Sequence, residues 1–357
     1  MKRIIAIVAL LLGLIAAGAY LMRDRIAVAL FERGMEQVLA TDPFAGRPDG
    51  LGVALCGAGS PMPSPDRAGP CTLITAGRHV YLVDIGEGGV RNLGRMGYGA
   101  GRVEAVFLTH FHSDHIDSLG ALMLQHWGTS GSPVPLPVYG PPGVESVVGG
   151  FNAAYGQDRG YRIAHHGTAV MKPAAFGMQA FAQDTPANGD PRLIFDKHGL
   201  QVFAFRVDHS PVEPAYGYVF AYKGRRIVIS GDTKPTASVE RAAKSADVLV
   251  HEALSADLVA LQQAAAKRAR RSDLEKIFHD IPSYHTTPQQ AADIAQRAGA
   301  KMLLLTHIVP PLPYSILEGP FLGDARGRFS GTLVIGRDGT EILLPAASKA
   351  IEQRQRF

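Results

Sequence analysis

The sequence predicts an α/β fold in which two sheets pack face to face under a cover of helices. Apolar strand runs arrive in two batches, with helical periodicity between and after them. Three of the strands also end alike. "LTH" at His110, "SGD" at Asp232 and "LTH" at His307 put a metal-type side chain where an apolar run stops. Strand ends are rigid and share a rim, so a preorganised site can be built there.

A chain of 357 residues is long enough for one large unit with a short appendage. Hydrophobic residues at 46%, charged residues at 19%, 40 glycines and 24 prolines exclude a disordered or coiled-coil protein and describe a loop-rich globular one. The net charge of +4 is that of an ordinary basic surface rather than the footprint of a nucleic-acid binder. The densest basic run, "KRARR" from Lys267 to Arg271, follows an alanine-rich helical stretch and reads as a solvated helix face.

The first 22 residues differ from all that follow. Lys2 and Arg3 precede "IIAIVALLLGLIAAGAYLM", an uncharged run from Ile4 to Met22 that nearly spans a hydrocarbon core of about 30 Å. Segment 1–22 is therefore a transmembrane anchor or a signal, and its length favours a retained anchor although "AGA" at Ala17 to Ala19 suits cleavage. An anchored chain would sit in the cell membrane with the domain that follows in the periplasm or outside; a cleaved one would be secreted. Segment 23–49 continues as an amphipathic helix, Arg23 to Ala40, and a linker, "TDPFAGRPDG".

The domain opens with short strands, "LGVALCG", "CTLITAG" and "HVYLVDIG", separated by turn residues. "VEAVFLTH" is a strand ending at a histidine cluster, and "IDSLGALMLQHW" has helical spacing. "QVFAFRVDH", "AYGYVFAY", "RRIVISGD", "DVLVHEA" and "KMLLLTH" follow as strands. Helices are expected over Ser238 to Ala246, Ala256 to Arg270 and Pro288 to Ala298, and a hairpin around "GRDG" closes the chain. Cys56 and Cys71 are expected as two separate buried thiols, a disulfide being the alternative open to an exported domain.

The cluster "HFHSDH" presents His110, His112, Asp114 and His115 within six positions. Imidazole nitrogens and carboxylate oxygens are the usual ligands of Zn²⁺, and this spacing on a turn lets one loop feed two adjacent ions. A merely histidine-rich surface loop would leave Asp232 and His307 unexplained.

The motif H-x-H-x-D-H after an apolar strand resembles the signature of the metallo-β-lactamase superfamily. "LCGAGSPMPSPDRAGP", "VDIGEGGVRNLGRMG", "VYGPPG", "SGDT", "HEA", "HTT" and the second "LTH" resemble, in order, motifs of its ribonuclease Z and arylsulfatase-like branch. The resemblance covers Leu51 to Val309. It implies the four-layer αββα fold of that superfamily, two packed mixed sheets flanked by helices, with a catalytic domain over 50–345 and a C-terminal tail over 346–357.

Carried over position by position, the resemblance implies that His110, His112 and His209 hold one zinc and Asp114, His115 and His307 another. Asp232 would bridge them at about 3.5–4 Å separation. Mn²⁺ or Fe are alternative metals. His209 is preferred to the pair His165 and His166, which lies in a segment without a clear strand. His285, oriented by Glu252, would act as proton donor, with Asp114 completing the catalytic group. His251 reads as structural, and His79, His126, His198 and His279 receive no role.

The implied chemistry is hydrolysis, with a metal-bridged hydroxide attacking a phosphodiester or a sulfate ester. Alternatives are tRNA 3′-end endonucleolytic processing, β-lactam or lactone hydrolysis, and metal-dependent binding without turnover. The aspartate at 232 disfavours a dedicated β-lactamase, because antibiotic-hydrolysing members generally have cysteine or serine near that place. Against tRNA stand three features: no basic, Gly/Pro-bounded arm, a long helical interval between Glu252 and His285, and the N-terminal anchor. The expected partners are a small-molecule ester or a nucleic acid, the membrane, and a second copy of the chain as a homodimer.

Overall fold

The computed structural model describes residues 1–357, which form two compact units, Met1–Ala45 and Gly46–Phe357. The first consists of two helices. Lys2–Leu21 has 20 residues, is uncharged after Arg3, buries no residue, and is long and apolar enough to cross a membrane. Arg23–Ala40 follows it with charged residues interleaved among apolar ones.

The second unit contains two mixed sheets. Strands β1 (Gly50–Gly57), β2 (Cys71–Ala76), β3 (His79–Val83), β4 (Val103–Phe107), β5 (Leu136–Gly140) and β6 (Met178–Ala182) build most of the first. Strands β7 (Arg192–Lys197), β8 (Leu200–His209), β9 (Val212–Tyr222), β10 (Arg225–Ile229), β11 (Val248–Leu254), β12 (Met302–Val309) and β13 (Thr332–Ile335) make the second. The chain then returns to the first sheet with β14 (Thr340–Pro345) and β15 (Glu352–Gln355), giving the orders β15-β14-β1-β2-β3-β4-β5-β6 and β13-β12-β11-β10-β9-β8-β7. Each sheet is antiparallel on one side and parallel on the other: β3 to β6 run parallel in the first, β10 to β13 in the second.

Between the sheets lies an aromatic core. Phe107 meets Phe195 and Phe220 edge to face, each at 5.6 Å between ring centroids, with Tyr81, Tyr139 and Tyr218 around them. Buried aromatic area of this kind dominates core energetics. Tyr218 also donates its hydroxyl proton to the Leu108 carbonyl at 2.5 Å, and the Tyr216 amide donates to the Thr109 carbonyl at 2.9 Å. The sheets are thus locked together just before His110. At the opposite edge, Glu104 receives His79 Nδ1 at 2.6 Å and His198 Nε2 at 3.4 Å, the two rings stacked at 4.0 Å.

Three expectations are corrected. Cys56 and Cys71 are joined in a disulfide, with Cα atoms 5.0 Å apart, because antiparallel pairing of β1 with β2 brings the end of one beside the start of the other. The segment around "GRDG" is not a hairpin: β13 pairs with β12 in one sheet and β14 with β1 in the other. The turn between them is pinned by Asp338, whose carboxylate accepts from the Ala58 amide at 3.0 Å, the Ala68 amide at 2.8 Å and the Asn92 side chain at 2.7 Å. Finally, the segment expected as a tail supplies β15, an edge strand pairing with β14. Helices over Val144–Ala154, Gly156–Val170 and Ser272–Asp280 and strands β6 and β7 are additional to those expected from the sequence.

Asp247, just before β11, accepts from Lys301 Nζ at 2.6 Å, Arg225 Nε at 3.2 Å and the Arg226 amide at 2.9 Å. Burial alone would raise its pKa, but these donors hold it below the ordinary carboxylate value. A depressed folded-state pKa contributes stability above the unfolded value of about 3.9, lost as pH falls from there through the folded value. Asp247→Asn should therefore cost about 1–3 kcal/mol at pH 7. In urea denaturation the gap to wild type should close below about pH 4.

Candidate metal centre

The rim is built on the carboxyl side of β4 and its neighbours. Asp84, immediately after β3, accepts from the Thr109 amide, the Thr109 hydroxyl and His115 Nδ1, each at 2.8 Å. These bonds fix both ends of the histidine loop, which folds through the short helix Ser113–Ile116 and turns Asp114 and His115 back toward His110. Gly86 lets the backbones pass closely, since a Cβ there would lie 2.2 Å from the Asp114 carbonyl. His209 is the last residue of β8, and Asp232 follows β10 after a left-handed Gly231. His307 sits at the register shift where Glu252 pairs with Thr306 but Ala253 pairs with Ile308. This bulge gives His307 a φ of 47°, a left-handed conformation that costs about 1–3 kcal/mol and redirects the side chain to the rim.

The outer nitrogens of three of these histidines, His110, His115 and His209, are occupied. Thr109 gives its hydroxyl proton to Asp84 and so accepts from His110 Nδ1 at 3.0 Å; His209 Nδ1 donates to the Tyr284 carbonyl at 3.0 Å; His115 Nδ1 donates to Asp84. Their Nε2 atoms therefore face inward, where a neutral ring presents a lone pair. At His115 burial opposes the charge, but the carboxylates of Asp232, Asp84 and Asp114 hold the pKa well above its ordinary value, so metal must displace a proton there. His110 Nε2 is 2.9 Å and His209 Nε2 3.4 Å from His112 Nδ1. His115 Nε2 and His307 Nε2 lie 3.3 and 3.1 Å from Asp232 Oδ2, and 3.6 and 3.4 Å from Asp114 Oδ2. The same Asp232 oxygen is 4.0 Å from both His110 Nε2 and His209 Nε2, so it faces both groups.

Asp114 Oδ2, His115 Nε2 and both ring nitrogens of His307 are buried without a hydrogen-bond partner. Orphaned acceptors converging in this way are costly unless a cation sits among them. Burial and the neighbouring His115 push the His110 pKa well below its ordinary value. Burial would raise that of Asp232, but His307 and His115 outweigh it and hold the carboxylate ionised. A neutral imidazole and an ionised carboxylate are the forms that bind metal, so the donor set fits divalent cations of the zinc type.

Beside this cluster, Glu252 is buried near the end of β11. Its Oε1 accepts from His285 Nδ1 at 3.0 Å, the Thr286 amide at 3.0 Å and the Thr233 amide at 3.2 Å. The His285 ring lies 5.3 Å from that of His209 and 5.4 Å from that of His307. Burial lowers its pKa, but the Glu252 charge and hydrogen bond lift it to about 9.

All seven residues expected as ligands, with His285 and Glu252, thus meet at one rim. His165 and His166 do not; they are exposed on the helix Gly156–Val170. His251 is buried and bonded to the Glu252 carbonyl at 2.8 Å, while His79 and His198 lie at the far edge. The residue that sequence reasoning missed is Asp84. Its signal was the "VDIGEGG" segment, quoted for its resemblance but given no role.

A cleft of about 810 Å³ opens above the cluster. Its floor includes His112, Asp114, Asp232, His285 and His307. Its walls come from the loop holding Ser60, Met62 and three prolines, from the helix Ser272–Asp280, and from Pro311 and Pro313. The Cys56–Cys71 disulfide and the Asp338 bonds close the base of that loop.

Residues 82–308 match the family described as Beta-lactamase superfamily domain. The chain belongs to that superfamily, has its αββα fold, and is a metal-dependent hydrolase. Among its relatives, ribonuclease Z of Mycobacterium bovis is 38% identical over 290 residues, which cover 81% of this chain and 96% of that protein. Ribonuclease Z of Mycobacterium avium is 36% identical over 298 residues, covering 83% and 99%. The short form of human tRNase Z superposes with a TM-score of 0.54 at 27% identity over 72% of this chain and 92% of its own. A metallo-beta-lactamase fold protein from Bacillus subtilis shares the fold, with a TM-score of 0.59 at 23% identity over 82% and 99%.

Asp84→Asn removes the charge that orients His115 and Thr109 without touching the inward atoms. Zinc affinity, measured by competition with a chromophoric chelator, should fall about 10–100-fold with the fold retained.

Proposed function

We propose that this chain is a dinuclear metal-dependent phosphoesterase with its catalytic domain over residues 50–345. In this reading His110, His112 and His209 hold one ion, Asp114, His115 and His307 the other, and Asp232 lies between them. The observation that carries it is the single Asp232 oxygen facing both groups of ligands. Zinc is the favoured metal. When bound, the ions supply Lewis acidity and a water acidified enough to ionise near neutral pH.

The chain's own residues do the rest. Burial would raise the Asp114 pKa, but His115 and His307 hold it below the ordinary carboxylate value, so Asp114 stays ionised and accepts a hydrogen bond from the attacking water. Glu252 holds the His285 ring by Nδ1, leaving Nε2 to carry the transferable proton. As an imidazolium, His285 stabilises charge building on the ester oxygens and gives its proton to the leaving oxygen. Phosphodiesters and sulfate esters both suit this arrangement, and the aspartate at 232 favours them over β-lactams.

The names of the relatives support a second reading, cleavage of tRNA precursors at the 3′ end. Two features weigh against it. No lysine or arginine lines the cleft, and β9 passes to β10 through the two-residue turn Lys223–Gly224 with no basic arm inserted there. We also propose that the helix Lys2–Leu21 anchors the chain in a membrane with its domain on an oxidising side, in keeping with the disulfide.

The test is a panel of an aryl phosphodiester, an aryl sulfate, a chromogenic cephalosporin and a tRNA precursor on the zinc-loaded protein. The aryl phosphodiester should be the preferred substrate; efficient tRNA cleavage would favour the second reading. His285→Ala should lower kcat about 10²–10⁴-fold, most for poor leaving groups, with metal content unchanged. Equal losses for good and poor leaving groups would remove His285 as proton donor.

A further inference from the structure

The floor and walls of the cleft differ in kind. The floor is charged and polar, whereas Met62, Leu274, Ile277, Phe278, Ile281 and Tyr284 rise from it as an apolar wall, in which Met62, Phe278, Ile281 and Tyr284 also pack on a small core with Leu254, Val259 and Val309. Ile277 is half exposed and, with Leu274 and Phe278 beside it on the same lining, adds to one apolar patch rather than standing alone. The helices Ala256–Arg268 and Ser272–Asp280 do carry basic residues, but Lys267 and Arg268 lie on their exposed side and none of them lines the cleft. Arg271 pairs with Asp273 and Lys276 with Asp280.

A polynucleotide brings one negative charge per phosphate and is gripped by lysine and arginine along its path. Here one anionic group can be met at the floor, and beyond it the cleft offers mostly hydrocarbon, with Ser60 and Gln262 as its polar lining and no cation. We infer that the substrate is an ester of one anionic phosphate carrying a large apolar group, alkyl or aryl, which lies against the wall formed by Leu274, Ile277, Phe278 and Ile281. This inference rests on the phosphoesterase reading above and names its substrate class. At about 810 Å³, the cleft falls in the usual range for small-molecule sites. A hexyl or longer chain would displace water from the wall, and each methylene buried is worth up to about fourfold in affinity.

The experiment compares methyl, butyl and hexyl p-nitrophenyl phosphodiesters, with a tRNA precursor alongside, on the full-length zinc-loaded protein. We expect kcat/KM to rise about twofold to fourfold per added methylene. Calorimetric titration with methylphosphonate and hexylphosphonate reads the same preference without turnover. Ile277→Lys, a change at a half-exposed position, should abolish it. A flat chain-length series, or a tRNA precursor cleaved with higher kcat/KM than the hexyl diester, overturns the inference while leaving a metal-dependent hydrolase. Tighter binding of hexylphosphonate with no diester hydrolysed supports the apolar wall and instead overturns the phosphoesterase reading. Loss of both the preference and the hydrolysis overturns both.

Discussion

The crowding of titratable side chains into one buried rim is the constraint on which this structure turns. The Nε2 atoms of His110, His115, His209 and His307, His112 Nδ1, and the carboxylates of Asp114 and Asp232 are held within a few ångströms of one another. That arrangement, burying so many polar groups together, is costly by itself. The sheets must hold it by force of packing and hydrogen bonding, through the Asp84 bonds, the Tyr218 bond to Leu108 and the strained backbone of His307. Such stored cost becomes binding free energy when a cation arrives, which is why metal affinity and fold are linked in sites of this type.

Around this centre the chain divides its labour by distance. The closest side chains are charged and buried, and the next set, Asp84, Thr109, Glu252 and the Tyr284 carbonyl, decides which nitrogen each histidine turns inward. The outermost set is hydrocarbon. A polar floor under an apolar wall lets one site grip a small charged group strongly and a large uncharged group loosely, a division that suits selectivity by body rather than by charge.

Much of this was legible in the sequence because the ligands sit at strand ends, where an apolar run and a metal-type residue stand side by side in the text. His110, His112, Asp114 and His115 are neighbours in the chain, and Asp232 and His307 end strands whose composition is plain. What was not legible depends on pairing across long separations. The disulfide follows from the β1–β2 register, and the departure of β14 from β13 follows from the Asp338 contacts to Ala58 and Ala68. Asp84 was missed for the same reason: its partners lie 25 and 31 residues away. The wall of the helix Ser272–Asp280 left a periodic trace at Leu274, Ile277, Phe278 and Ile281, but periodicity does not say whether an apolar face meets a core or a cleft.

The bulge at His307 has a consequence for how the molecule comes to be. The histidine loop is synthesised early, yet its last partner arrives on β12, almost two hundred residues later, after most of both sheets has been laid down. The cluster is therefore a property of the whole fold: a chain ending before β12 keeps the histidine loop but lacks one of the groups that converge on Asp232.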